Sequence, residues 1–304
     1  MNVLVTGGTG FVGGILVNLL CARNDRATIV TRRPEEGRTA RVGVSFAGWL
    51  PDLSRHEAVV NLAGASVSAR RWNEAYKREL VESRVDRTRA LVQALGKCDK
   101  RPRVLVNASA VGYYGDRGDE LLDEDSAPAS GFLPDLCVAW EREALEAERH
   151  GVRVVNLRIG IVLGRFGGAL EKMAPIFKLG LGGPFGAGAM WLPWVHVNDC
   201  AGLVLHAIDD ESVRGAVNAV SPGVVRNKEF ARTLGKVLSR PAILPVPPFA
   251  LKLAVGEFAA QLLASERVAP KKALASGYRF QWPELEPALK NCLQLKDYRR
   301  SDER

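Results

Sequence analysis

The segment Thr6-Gly7-Gly8-Thr9-Gly10-Phe11-Val12-Gly13 limits what this chain can become more than any other feature. It follows the continuous apolar run Val3-Leu4-Val5 and opens an apolar helical stretch, so a buried strand turns directly into a helix. The segment satisfies G-x-x-G-x-x-G through Gly7, Gly10 and Gly13, and G-x-G-x-x-G through Gly8, Gly10 and Gly13. In such a turn the first glycine permits the tight reversal, the middle one lets a pyrophosphate approach the backbone, and the last lets the helix pack on the strand. The amino end of the helix then offers unpaired N–H groups to the anion. The segment therefore predicts a dinucleotide site in which Gly7, Thr9, Gly10, Phe11, Val12 and Gly13 contact the cofactor.

The pattern that follows suits this start. Short β-branched runs at residues 2–6, 27–31, 42–46, 58–62, 104–109 and 152–158 alternate with helical patterns at 10–23, 73–95 and 134–150. Several of these runs are apolar at every position, as a parallel strand covered on both faces requires. The expected fold class is α/β, a doubly wound parallel sheet of the Rossmann type with a smaller C-terminal substrate lobe. After residue 158 a glycine-rich stretch, Gly164 to Gly188, encloses one helical piece at 169–179 and reads as a lid or a connection between lobes. A helix at 198–209 and a strand at 215–220 return to the sheet. A helix at 227–238, a proline-rich passage at 241–248 and helical segments at 249–263 and 284–293 complete the chain. The expected division is a nucleotide domain at 1–165 with 198–222 returning to it, a substrate lobe at 166–197 and 223–293, and a flexible tail at 294–304.

The end of the second strand decides the expected cofactor. A carboxylate there would accept from the ribose 2′-hydroxyl of NAD and repel a 2′-phosphate, but the chain reads Thr31-Arg32-Arg33. Two guanidiniums are shaped to fork onto a phosphate, so Arg32 and Arg33 point to NADP(H). After the fourth strand, Asn61-Leu62-Ala63-Gly64 offers small residues along which a cofactor can lie, placing Leu62, Ala63 and Gly64 among the expected contacts.

Composition removes the main competing classes. With 304 residues, 47% hydrophobic and 25% charged, the chain has an ordinary globular make-up. No apolar stretch nears the roughly 20 residues a membrane span needs. Met1-Asn2 runs straight into the first strand with no basic leader, so the expected location is cytoplasmic. Five scattered cysteines and four histidines show no chelating or disulfide spacing, and no metal is expected. The net charge of +8 is dispersed, without a nucleic-acid-binding motif. A small-molecule substrate is the expected partner, with no nucleic acid and no membrane. The oligomeric state stays open.

With these residues in view, the chain resembles the short-chain dehydrogenase/reductase superfamily, in its extended, sugar-nucleotide-epimerase-like branch. It looks most like the atypical epimerase-family proteins. That likeness rests on Arg71-Trp72-Asn73, Ser83-Arg84-Val85, Ser109-Ala110-Val111-Gly112-Tyr113-Tyr114-Gly115, Trp140-Glu141, Gly180-Leu181-Gly182-Gly183-Pro184 and Trp194-Val195-His196-Val197-Asn198-Asp199. Arg267-Val268-Ala269-Pro270-Lys271-Lys272 and Gly277-Tyr278-Arg279-Phe280 are similar to the small domain that ends those proteins. The resemblance spans about residues 1–293 and implies an oxidoreductase or epimerase-like enzyme.

It also exposes a departure. Extended-family enzymes carry a Tyr-x-x-x-Lys pair on the helix after the fifth strand, where lysine helps tyrosine exchange a proton with substrate. By alignment Leu136 replaces that tyrosine and Trp140 that lysine, while Arg84 replaces an asparagine of the usual relay and is assigned to the cofactor. The substitutes offered by the sequence are Tyr113 and Tyr114 after the fifth strand, with Ser109 assisting. Each has an equal alternative as a packing or strand-end residue. Lys172, Trp194 and His196 are the candidates for substrate contact, with a solvated helix face, core filling and a hydrogen-bonded packing histidine as their alternatives. Loss of the Tyr/Lys pair also leaves room for a second class of function, a non-catalytic NADP(H)-binding redox sensor or regulatory protein.

Overall fold

The computed structural model describes residues 1–33 and 42–293, so the expected tail at 294–304 lies outside the described residues. One all-parallel sheet carries β1 (Asn2–Thr6), β2 (Arg26–Val30), β3 (Val44–Ala47), β4 (Ala58–Asn61), β5 (Val104–Ala110), β6 (Arg153–Ile159) and β7 (Gly215–Ala219). The strands lie in the order β7-β6-β5-β4-β1-β2-β3. The order reverses between β1 and β4, and a doubly wound sheet binds its ligand outside the carboxyl ends at such a reversal.

Continuous apolar strands are explained by what covers them. Val3 and Val5 face Leu16, Leu20, Val204 and Ala207 on one side of the sheet, while Leu4 faces Leu91, Leu95 and Ala144 on the other. Both faces are therefore dry, which a period-two strand would not tolerate. The smaller lobe has its own apolar centre, in which Leu170, Phe177, Trp194, Phe230, Leu234 and Leu289 are brought together by the helices Gly168–Lys178, Asn227–Leu238 and Leu285–Leu293. Gly215–Ala219 returns to the main sheet beside β6.

Two expected helices are interrupted. The segment read as one helix at 73–95 is Glu74–Val81 and Arg87–Gly96 joined by a π-turn at Glu82–Asp86, a widened turn common at functional sites. The segment at 249–263 is divided into Pro248–Val255 and Phe258–Leu263 by Gly256, whose φ of 66° no helix accommodates. The third strand begins two residues later than its apolar run.

Candidate functional site

The glycine turn closes on itself and on the loop after β4. Gly7 takes φ 71°, and a Cβ there would stand 2.8 Å from the Leu62 carbonyl carbon and oxygen. A Cβ on Gly13 would lie 2.2 Å from the Gly7 carbonyl oxygen, so the helix can sit on the turn only without a side chain at that position. The Gly10 N–H donates to the Gly7 carbonyl at 2.9 Å. The helix Phe11–Ala22 that starts here has no side-chain cap and no acid in its first turn. Thr9 and Gly10 are exposed, Val12 is half-buried, and Phe11 packs its ring against Gly164, Gly167 and Gly168. An uncapped helix end under an open glycine surface is what a pyrophosphate requires.

The loop after β4 is held from below. Thr6, Asn61, Asn107 and Asn156 stand in register across β1, β4, β5 and β6, forming one buried polar row. The Thr6 hydroxyl donates to Asn61 Oδ1 at 2.6 Å and accepts from the Ala63 N–H at 3.2 Å. Asn61 Nδ2 donates to Asn107 Oδ1 and to the Thr88 hydroxyl, and Asn107 Nδ2 donates to Asn156 Oδ1. The row, with Thr88 and the Glu141 carbonyl, satisfies its donors beside the sheet and, through the Ala63 N–H, fixes the path of the loop after β4. Among the described residues the end of β2 carries Arg32 and Arg33, both exposed, and no acid. The residues present therefore fit a dinucleotide.

Arg84 lies on the π-turn and packs over this loop. Its Nη2 donates to the Ala65 carbonyl at 2.8 Å, its guanidinium carbon is 5.2 Å from the Trp140 ring centre, and a Cβ on Gly64 would touch it at 3.1 Å. No carboxylate pairs with it among the described residues, and burial holds its pKa below the ordinary arginine value. Trp140 donates from its indole nitrogen to the Thr88 hydroxyl, and both it and Leu136 are core residues. The helix positions that carry tyrosine and lysine in the extended enzymes thus carry only packing here.

The residues after β5 are organised by Arg158, which is 4% exposed. Its Nε and Nη2 donate to the two carboxylate oxygens of Glu141, each at 2.9 Å, and its Nη1 donates to the Tyr114 hydroxyl at 2.9 Å. Ser109 donates to the same carboxylate at 2.6 Å. Tyr114 is fully buried, donates to Asn218 Oδ1 at 2.7 Å, and has its phenol pushed up to about 12 by burial. Ser109 and Tyr114 are therefore corrected to parts of a buried polar network, because the hydrogen bonds their hydroxyls make all run to buried side chains. Tyr113 differs. It is half-buried, its ring centre sits 3.5 Å from the Arg158 guanidinium, and its hydroxyl has no hydrogen-bond partner among the described residues.

The second lobe corrects two further expectations. Trp194 has no exposed surface and donates to the Gly223 carbonyl, so it fills the core of the lobe. His196 is 2% exposed; its Nδ1 accepts from the Asn198 N–H, capping the helix Val197–Asp209, and its Nε2 therefore carries the hydrogen toward Asn291 Oδ1 at 3.2 Å. Burial lowers its pKa, which suits a neutral structural ring. Lys172 is exposed and donates to the Ser68 carbonyl and hydroxyl at 2.8 and 2.9 Å, joining the lobe to the loop after β4.

Sequence reasoning passed over the Glu141 to Arg158 pair, which only the fold brings together, and a buried carboxyl at Glu266. Glu266 is 4% exposed, accepts from Gln261 Nε2 at 2.9 Å, and is pushed up to about 7 by burial. Gln261 lies over the loop after β5, since a Cβ on Gly112 would stand 3.5 Å from its amide nitrogen. No spacing rule marks either residue.

Residues 3–219 match the NAD dependent epimerase/dehydratase family, and residues 246–292 match a domain of unknown function, DUF1731. The chain is similar to the epimerase family protein SDR39U1 of Homo sapiens, 40% identical over 297 residues that span 96% of this chain and 100% of the relative. It is also similar to the epimerase family protein YfhF of Bacillus subtilis, 36% identical over 96% of this chain and 98% of the relative. Among solved structures it is similar to human SDR39U1 with NADPH, at TM-score 0.86 and 37% identity over 96% of this chain and 99% of that one. A nucleoside-diphosphate sugar epimerase from Corynebacterium glutamicum matches at TM-score 0.77 and 29% identity, over 96% of this chain and 58% of that one.

Proposed function

The chain belongs to the NAD dependent epimerase/dehydratase family, and from that premise we propose that it is an NADP(H)-dependent, epimerase-like oxidoreductase acting on a small carbonyl or hydroxyl compound. The observation that carries this reading is the pairing of an uncapped helix end behind the glycine turn with two arginines at the end of β2, where no acid stands among the described residues. The human relative solved with NADPH supports it. Bound there, the dinucleotide supplies a hydride acceptor or donor at its nicotinamide. Gly7, Thr9, Gly10, Val12 and Gly13 receive the pyrophosphate through the turn and the helix N–H groups, and Arg32 and Arg33 receive the 2′-phosphate. Leu62, Ala63 and Gly64 line the path toward β5, with Arg84 as the local cation. Tyr113 is the proton donor or acceptor, because its hydroxyl alone among the expected catalytic groups has no hydrogen-bond partner among the described residues, and Arg158 lies against its ring.

The experiment is a pair of dissociation constants for NADPH and NADH in the wild-type protein and in the Arg32→Ala, Arg33→Ala double variant. Charge-assisted hydrogen bonds to a phosphate contribute about 1.5–3 kcal/mol each, so a preference of roughly tenfold or more for NADPH should collapse in the variant. Equal constants in the wild-type protein would end the claim. A second reading, a non-catalytic NADP(H) sensor, is favoured by one observation: Leu136 and Trp140 occupy the relay positions as core residues. It predicts stabilisation by NADPH with no oxidation of it across a panel of aldehydes, ketones and sugar nucleotides.

A further inference from the structure

After the short strand Ile161–Gly164 the chain reverses tightly, pairing Leu163 with Gly168 and Gly164 with Gly167, which leaves Arg165 and Phe166 at the tip. This reversal is moulded on Phe11. A Cβ added at Gly164, Gly167 or Gly168 would stand 2.6, 2.7 or 2.8 Å from an atom of the Phe11 ring, so glycine at all three positions lets the turn lie against the first residue of the nucleotide helix. A second helix, Gly168–Lys178, begins from the same turn, and like Phe11–Ala22 it has no side-chain cap. Two uncapped helix ends, each the positive pole of its helix, are therefore brought beside one another.

Arg165 sits in this place with nothing to neutralise it. Among the described residues its guanidinium has no hydrogen-bond or ion-pair partner, and its Nε is shielded from solvent without an acceptor. The side chain is half-buried, and its guanidinium carbon lies 4.8 Å from the centre of the neighbouring Phe166 ring. The acid in the first turn of the second helix, Glu171, is exposed and makes no pair with it. A shielded N–H donor on an unmatched cation is unfavourable unless an anion completes it.

We propose that Arg165 binds the pyrophosphate of NADP(H) from the reversal that leads into the second lobe, so that the dinucleotide is clamped between the glycine turn and the 164–168 reversal. This rests on the NADP(H) reading above and adds a residue to it. The glycines on either side of Arg165 lie against Phe11, the first residue of the nucleotide helix, so the reversal carries Arg165 beside the helix end where this fold holds the pyrophosphate, whereas Arg32 and Arg33 lie at the end of β2. Because NADPH and NADH share the pyrophosphate, Arg165 adds affinity for both without choosing between them.

The test is calorimetric titration of the full-length protein with NADPH and with NADH, in the wild type, in Arg165→Met and in Arg165→Lys. Thermal melts of the unliganded variants check the fold. Arg165→Met is expected to raise both dissociation constants by the same factor, roughly tenfold or more, with part of the loss recovered by lysine. The NADPH to NADH ratio should stay at its wild-type value. Unchanged constants overturn the proposal, and so does weakening confined to NADPH, which would assign Arg165 to the 2′-phosphate. Should the methionine variant misfold, the lysine variant decides, because a clamp requires its affinity for both dinucleotides to fall below wild type by the same factor. If the wild-type protein binds neither dinucleotide, the underlying NADP(H) reading fails and this one with it. Wild-type binding left intact by Arg165→Met sinks this one alone.

Discussion

Arg158 forks onto both oxygens of Glu141 while its guanidinium lies 3.5 Å from the centre of the Tyr113 ring. One buried cation thus serves two ends. It is neutralised from the helix Phe132–Leu145, and it supports the aromatic residue that the loop after β5 presents at the carboxyl edge of the sheet. The same side chain takes the hydroxyl of the adjacent Tyr114 into the core, so two neighbouring tyrosines receive opposite fates from one partner.

Removing the carboxylate leaves that cation without its counter-charge. Glu141→Ala should lower the unfolding free energy by about 3–5 kcal/mol, since a buried pair broken on one side leaves an uncompensated charge. The double variant Glu141→Leu, Arg158→Met should regain most of the loss because nothing charged remains to be buried. Urea unfolding midpoints of the three proteins test this, and a loss below about 1 kcal/mol in the single variant would show that water reaches Arg158.

The glycine turn separates packing from binding. Gly13→Ala must push its methyl group against the Gly7 carbonyl, 2.2 Å from an ideal Cβ, so the turn has to open and both stability and NADPH binding should fall. Gly10 faces open space apart from that same carbonyl at 3.1 Å. Gly10→Val should keep the melting temperature of the unliganded protein near wild type yet abolish the rise that NADPH produces, because the branched side chain stands where the pyrophosphate would lie. A thermal-shift titration that shows full NADPH stabilisation of Gly10→Val would remove the turn from the cofactor site.

Glu266 gives the stability a pH dependence of definite sign. Burial raises its pKa from 4.5 to about 7, so the folded state favours the protonated carboxyl. Its contribution is fully present below pH 4.5, where folded and unfolded chains are both protonated, and it is lost as pH rises from 4.5 through about 7. The loss amounts to the order of 3 kcal/mol at pH 8. Glu266→Gln, which keeps a neutral side chain of the same shape, should be more stable than wild type at pH 8 and nearly equal to it at pH 5. If the two proteins show parallel pH profiles of unfolding free energy, the carboxyl is not held neutral.

The sheet was legible because its information is local. An apolar run such as Val3-Leu4-Val5 has no face left for water, and a glycine turn behind it can only lead into a close-packed helix. The glycine turn itself was legible for the same reason. What sequence reading missed depends on distant pairing. Nothing at Glu141 announces that Arg158 faces it, and the Asn61, Asn107 and Asn156 row exists only when three strands align. Trp194 and His196 were misjudged because an indole or an imidazole beside a polar motif reads the same in a core as in a pocket. Their donors turn out to end on Gly223 and Asn291 inside the lobe.

The two tyrosines after β5 give the sharpest test of catalysis, since phenylalanine removes only a hydroxyl from each. In Tyr114→Phe the Asn218 Oδ1 loses the donor 2.7 Å away and Arg158 Nη1 loses the acceptor 2.9 Å away, both in a dry setting. About 1–3 kcal/mol of stability should be lost for each buried group left unsatisfied, with NADPH affinity unchanged. In Tyr113→Phe no internal hydrogen bond is removed, so urea unfolding should match wild type while turnover falls by about 10²–10⁴, as expected when a general acid or base is deleted. The readout is NADPH oxidation with a carbonyl compound that the wild-type protein reduces, measured beside the NADPH dissociation constant so that a binding defect is not mistaken for a chemical one. Wild-type turnover by Tyr113→Phe would take the proton from this residue and leave the buried carboxyl of Glu266, with Gln261 over the same loop, as the next group to test by the pH dependence of kcat.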